Sequence, residues 1–168
     1  MARPVVHRLG LPFWHPAVLL ATWFGAGLLP VTPGTWGSLA ALPFAWLIQS
    51  RWGDLGLILG AVLVFAVGWW VSAIVGRASG VKDAGAIVID EVAAQWLVLA
   101  AAPLDPFAYA LAFLLFRVAD ILKPWPASWA DRHVDGGLGV MLDDVFAAIY
   151  AGGVLSLVLL AGRVLLGR

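Results

Sequence analysis

The chain has 168 residues, 62% of them hydrophobic and 12% charged, and its ten basic and ten acidic residues cancel to a net charge of zero. Soluble domains carry roughly a quarter of their residues as Asp, Glu, Lys or Arg, so a disordered chain, a nucleic-acid binder and an ordinary watery globule are excluded. The lack of cysteine removes disulfides, thiolate nucleophiles and Cys-based zinc sites, and the length suits a single domain over 1–168.

From Leu9 to Ser50 there is no Asp, Glu, Lys or Arg, but Pro12, Pro16, Pro30, Pro33, Gly34 and Pro43 break the run. This predicts an interfacial or re-entrant segment around Ala17 to Leu29, then a helix from about Trp36 to Gln49. A cleavable signal peptide fits poorly, because Pro12, Trp14, His15 and Pro16 precede the apolar stretch and no small-residue cleavage site ends it. Leu55 to Gly76 is uncharged and reaches about 33 Å as a helix, enough to cross the ~30 Å hydrocarbon layer. Ala86 to Leu104 and Pro106 to Leu122 are weaker crossing segments, separated by the turn Pro103-Leu104-Asp105-Pro106. Val145 to Gly162 is a further span, closed by Arg163 and Arg168. Backbone groups in lipid must be satisfied within helices, so the fold is expected to be all-α: a compact polytopic membrane helix bundle. Trp36, Trp52, Trp69, Trp70, Trp125 and Trp129 fall near span ends, where indole favours the interface.

Thirteen of the twenty charged residues lie in Arg77–Glu91 and Arg117–Asp144. Alternating crossings put Arg51–Asp54 and Leu104-Asp105 on one side, and Gly34–Ser38, Arg77–Asp90 and Lys123–Asp143 on the other. The second face holds Arg77, Lys82, Arg117, Lys123 and Arg132, against Arg51, Arg163 and Arg168 opposite. Positive residues favour the cytoplasm, which places the charged face there, and ionisable groups at a membrane boundary point to a functional site.

Asp90-Glu91 and Asp143-Asp144 are each expected to open a helix, where carboxylates complement the helix dipole. Two such pairs on one face, joined by Asp120 and Asp131, repel unless a cation or basic side chains compensate. A hard divalent ion is the natural compensator. Arg117, Asp120 and Lys123 are spaced for one helical face, either as an ion-pair stripe or as a metal and phosphate site. Thr35 and Ser38, at a helix start, are either N-caps or part of an anion site. Asp135-Gly136-Gly137-Leu138-Gly139 reads as a flexible loop and matches neither the Walker nor the dinucleotide pattern. Of the histidines His7, His15 and His133, only His133 falls in the charged region, as a loop or supporting residue. Metal-assisted attack of water on a phosphomonoester therefore fits better than covalent catalysis, and acids at helix ends sit level with a lipid headgroup phosphate.

Four motifs occur in order: Pro33-Gly34-Thr35-Trp36-Gly37-Ser38-Leu39, Ile89-Asp90-Glu91-Val92, Phe116-Arg117 through Asp120-Ile121-Leu122-Lys123-Pro124-Trp125-Pro126, and Gly136-Gly137-Leu138-Gly139-Val140-Met141-Leu142-Asp143-Asp144. Together, over about residues 30–152, they resemble the phosphatidylglycerophosphatase A family. The resemblance implies a multi-pass protein of the bacterial inner membrane that removes the terminal phosphate of phosphatidylglycerophosphate with Mg²⁺, giving phosphatidylglycerol. Its partners would be the phospholipid substrate and the bilayer, not nucleic acid, with a homo-oligomer left open. The family's acidic motif positions correspond to Asp90, Glu91, Asp120, Asp131, Asp143 and Asp144. Ala94 stands where the family often has Gly, a change expected to affect helix packing. Glu91, Asp143 and Asp144 are the expected metal ligands, with Asp90, Asp120 and Asp131 as catalytic or supporting acids. Arg117, Lys123 and Arg132 would neutralise the phosphate, with Thr35 and Ser38 beside it. A CDP-alcohol phosphatidyltransferase is an alternative, but no Ala-Arg follows Asp135-Gly136 and Asp143-Asp144 are adjacent. A small transporter or channel subunit is another, but it would place acids near the midplane and often show a repeat.

Overall fold

Proline and glycine decide where the apolar runs of this chain begin and turn. The computed structural model describes residues 9–81 and 84–166, so His7, Lys82 and Arg168 lie outside them. Helices α1 (Pro16–Ala21), α2 (Pro33–Ser79), α3 (Ile89–Leu99), α4 (Pro106–Leu122), α5 (Ala127–His133) and α6 (Gly136–Leu166) follow in order, with a 3-10 turn at Ala26–Leu28. No strand occurs among the described residues. Pro16, Pro33 and Pro106 each occupy the first position of a helix, where the missing N–H is not needed. Asp105 caps α4 by accepting from the backbone N–H of Phe107 and Ala108, both at 2.9 Å.

The predicted break at Arg51–Asp54 is a reversal inside α2. Gly53 has φ 66° and ψ −167°, a combination essentially confined to glycine. Ile48 Cδ1 lies 3.8 Å from where a Cβ on Gly60 would stand, whereas twelve residues of continuous helix would separate them by about 18 Å. The arms 33–52 and 54–79 therefore run back along each other. The first arm begins earlier than the predicted Trp36, because Pro33 starts it.

α3 packs against α2, α4 and α6 and is buried at nearly every position. The expected crossing segment from Ala86 to Leu104 is shortened to its 11 helical residues, about 16 Å, too short to cross hydrocarbon. Other helices, not lipid, surround it. Alanines 41, 45, 61, 94, 112, 147, 148 and 151 line the central core, and such small side chains let helix backbones approach closely. Trp96 Nε1 crosses this core to donate to the Ala41 carbonyl at 3.0 Å.

The outer surface is apolar. Only 28% of the most apolar stretch of α2 and 22% of that of α6 is buried, and these two helices are long and apolar enough to cross a membrane. A soluble core helix would be mostly covered, so these faces suit lipid. The six tryptophans expected at span ends are all exposed. The N-terminal segment expected to be interfacial or re-entrant forms α1 and the 3-10 turn. Ala17, Val18 and Ala21 of α1 are buried in a cluster with Val71 and Val75 of α2, and the Ala21 carbonyl accepts from Val88 N at 2.8 Å.

The reversal at Gly53 has a direct test. Nothing within 4 Å would meet a Cβ there, so Gly53→Ala should destabilise through backbone conformation alone, by about 1–3 kcal/mol. Gly152→Ala, in open space on helix α6, should be neutral or stabilise by about 0.5–1 kcal/mol. Thermal unfolding of both variants in detergent checks the pair, and equal midpoints would contradict the reversal.

Candidate active site

Four helices deliver polar residues to one end of the bundle. α2 begins there, α3 begins there, α4 ends there and α6 begins there, so alternation of direction gathers the motifs as the charge pattern predicts. Asp90 and Glu91 occupy the first turn of α3, where the positive end of the helix dipole favours carboxylates. Arg117, Asp120 and Lys123 come from the last turns and C-cap of α4. They enclose a cavity of about 250 Å³, whose wall also includes Thr32, Gly34, Thr35, Gly85, Asp143 and Asp144.

Carboxylate oxygens of Asp90, Glu91 and Asp144 lie within 4.8 Å of one another. Glu91 Oε2 and Asp144 Oδ2 are buried and receive no hydrogen bond. Three acids this close in a shielded place repel strongly unless positive charge lies between them. The two cations of the cavity wall make their shortest contacts with other acids. Arg117 Nη1 is 2.8 Å from Asp120 Oδ2 and 4.0 Å from Glu91 Oε1, and it donates to Ser38 Oγ at 3.2 Å. Lys123 Nζ reaches Asp143 Oδ2 at 2.5 Å and Asp131 Oδ1 at 3.3 Å. Partial burial works against the ammonium, but the hydrogen bond it donates to Asp143 and the charges of Asp143, Asp131 and Asp144 outweigh it and hold Lys123 above the ordinary lysine range.

The geometry groups the acids differently from the expected sets. The expected ligand set Glu91, Asp143 and Asp144 differs from the observed cluster, in which Asp90 stands with Glu91 and Asp144. Adjacent helix residues point about 100° apart, so Asp144 faces the acids and Asp143 faces Lys123. Nor does the Asp143-Asp144 pair open its helix. α6 starts at Gly136 and has no acid in its first turn. The Gly136–Gly139 stretch is therefore helical, not a loop, because Gly137 lies against the Trp69 carbonyl of α2, where a Cβ would come within 2.2 Å.

Ser38 is not an N-cap. Its hydroxyl donates to the Gly34 carbonyl at 2.9 Å and accepts from Arg117, so it steadies the guanidinium. Thr35 lines the cavity. Asp131 is outside the wall and acts through Lys123. Arg132 is not brought to the site: its Nε donates to the Ser128 carbonyl at 2.9 Å on exposed α5. His133 is also outside, stacked on Trp129 at 5.6 Å. Gly34 carries a part that spacing alone did not indicate. A Cβ there would lie 1.9 Å from Glu91 Oε1, so the glycine leaves the room that this carboxylate occupies. Its place directly after the helix-opening Pro33 was the available signal.

The family model described as phosphatidylglycerophosphatase A matches residues 19–159. The chain is 41% identical over 144 residues to the phosphatidylglycerophosphatase A of Escherichia coli strain K12, covering 84% of this chain and 81% of that one. It is 42% identical over 138 residues to the Haemophilus influenzae protein of the same name, covering 82% and 85%. A Bacteroides thetaiotaomicron protein provisionally named a phosphatidylinositol-3-phosphatase is 35% identical over 147 residues, covering 80% and 87%. No solved structure matches. The matched residues include every residue in the wall of the acidic cavity, and the chain belongs to the phosphatidylglycerophosphatase A family.

Proposed function

We propose that this chain is a lipid phosphomonoester hydrolase that converts phosphatidylglycerophosphate to phosphatidylglycerol and phosphate, assisted by Mg²⁺. It would act as a single domain over 1–168, crossing the bacterial inner membrane several times, with the acidic cavity on the cytoplasmic face. The observation that carries the reading is the buried trio Asp90, Glu91 and Asp144, whose oxygens share a space of ion-binding size. Their all-oxygen donor set suits a hard cation, and two of the oxygens lack any donor. Asp90, Glu91 and Asp144 would hold the ion. Once bound, Mg²⁺ would supply Lewis-acid polarisation of the phosphoryl group and make a water more acidic.

The remaining residues orient and neutralise. Asp120 and Ser38 fix the Arg117 guanidinium at the cavity wall, where it would meet phosphate oxygens and the charge that grows on them in the transition state. Asp143 and Asp131 hold the Lys123 ammonium at the mouth. Asp90 and Glu91 at a helix start, with the adjacent Asp143 and Asp144 serving different partners, fit neither a phosphatidyltransferase with spaced aspartates nor an ion pathway through the midplane. A second lipid phosphomonoester, phosphatidylinositol 3-phosphate, enters through the name of the Bacteroides relative and belongs in the same assay.

Purified chain in detergent should release phosphate from phosphatidylglycerophosphate with Mg²⁺ and not with excess chelator, and faster than from phosphatidylinositol 3-phosphate. Glu91→Gln and Asp144→Asn should each lower kcat about a thousandfold, equivalent to the several kcal/mol that a misplaced ion forfeits. Full activity of either variant, or release that survives chelation, would remove the metal trio from the mechanism. Asp143→Asn should instead raise KM and leave the Mg²⁺ requirement in place. A titration of rate against Mg²⁺ separates the two aspartates.

Gly34→Ala gives a finer check. The obstructing atom is the end of a flexible side chain, so the fold should tolerate the methyl group while Glu91 is displaced. The thermal midpoint should stay close to that of the parent, and kcat/KM should fall about tenfold or more.

A further inference from the structure

Beside the acidic cavity lies a second one of about 370 Å³, and Pro33 and Gly85 stand in the walls of both. Its volume is in the range of small-ligand sites, about 300–1,000 Å³. Among the described residues none of its lining side chains is ionisable, and Leu9, Leu29, Val31, Val81 and Ala84 give it apolar walls. Leu29, Val31 and Val81, 45%, 79% and 48% exposed, give the groove an open, apolar rim.

The partition between the two cavities is strained. Val31 and Thr32 have φ of 64° and 50°, a left-handed conformation that β-branched residues rarely adopt. Strain of this kind persists where the surroundings over-determine it and gathers at binding sites. Here it turns consecutive residues to different chambers, Val31 into the wall of the apolar groove and Thr32 into that of the acidic cavity.

We infer that the groove seats the glycerol backbone and first methylenes of one acyl chain of the phospholipid whose terminal phosphate occupies the acidic cavity. The inference rests on the proposed hydrolase reading and extends it to how the lipid end of the substrate is held. Continuity with the phosphate site, the apolar side chains of the described walls and an exposed apolar rim favour a lipid tail over a polar ligand. Contact with a part of the substrate remote from the reacting phosphate separates a lipid from a soluble phosphomonoester with the same headgroup.

The test is photocrosslinking of the full chain in detergent with phosphatidylglycerophosphate that carries a diazirine near an acyl carbonyl, followed by mass-spectrometric mapping. Adducts should concentrate at residues 29–31 and at Val81. Leu29→Trp, which fills the rim, should cut their yield and raise KM about fivefold or more while kcat stays within about twofold. Adducts spread instead over lipid-facing side chains such as Leu63 and Leu157, with equal yield in the variant, would overturn the inference. Phosphate release from the unlabelled lipid is scored in parallel. Release without groove adducts defeats the groove and spares the hydrolase reading; groove adducts without release uphold the groove as a lipid site and defeat the hydrolase reading.

Discussion

Five carboxylates and two cations face one cavity at the end of an otherwise apolar bundle, and that imbalance governs how the helices meet. Both cations are already committed, Arg117 to Asp120 and Lys123 to Asp143. Asp90, Glu91 and Asp144 come from α3 and α6, so wherever they are ionised their repulsion acts to push those helices apart at the site. Burial deepens the problem, because taking charge out of water costs several kcal/mol per ion. A bound cation would turn the same contact from repulsive to cohesive, so occupancy of the proposed metal site and packing of α3 on α6 are one equilibrium. The bundle end that performs the proposed chemistry is thus also the end whose packing depends on it.

The opposite end supplies a fixed reference. Gln49 donates to Asp54 Oδ1 at 2.7 Å and to the Ala102 carbonyl at 2.9 Å, and it accepts from the Tyr109 hydroxyl at 2.5 Å. One side chain thereby pins both arms of α2, the end of α3 and the start of α4. Midway, the bond from Trp96 to the Ala41 carbonyl sets the register of α3 on the first arm of α2. Because these two elements run parallel away from the site, that register also decides where Glu91 falls beside Gly34. Alanine-lined contacts let the backbones come near enough for such short side chains to reach. Rigid pins at one end and in the middle leave the acidic end as the place where the structure can respond to a ligand.

Much of this was legible from residue order alone. Uncharged runs show apolar helices because lipid-compatible segments exclude charge over their whole length, and the Arg51–Asp54 interruption marks the reversal that Gly53 makes. The clustering of charge places the site, since four helix ends of alternating direction share one face. What stayed hidden depends on angles about helix axes and on contacts between distant segments. The Gly136–Gly139 stretch carries the composition of a loop, but its glycines serve close packing on Trp69, a neighbour that no local pattern reveals. The shortening of α3 has the same origin. A run of apolar residues reads alike whether lipid or other helices cover it, and only the fold shows that helices do. Arg132 belongs to the charged face that the alternation of spans predicts, yet on α5 its Nε turns back to the Ser128 carbonyl of its own helix.

Asp143 and Asp144 show the consequence most clearly. As letters they form one acidic pair, equivalent to Asp90-Glu91. Once α6 begins at Gly136, both residues lie beyond its first turn, too far in for the helix dipole to account for them. Their directions differ by about 100°, which sends one carboxylate to the acidic trio and the other to Lys123. The pair at Asp90-Glu91 does not divide in this way, because it sits at a helix start and the longer glutamate reaches the same space as its neighbour. Two adjacent acids on α6 therefore answer two separate charges, one proposed to be a metal ion and the other an ammonium at the cavity mouth. A shift of one residue in the start of α6 would rotate both away from their partners. The contact of Gly137 with α2 that fixes the start of that helix is, for this reason, as much a part of the site as the carboxylates themselves.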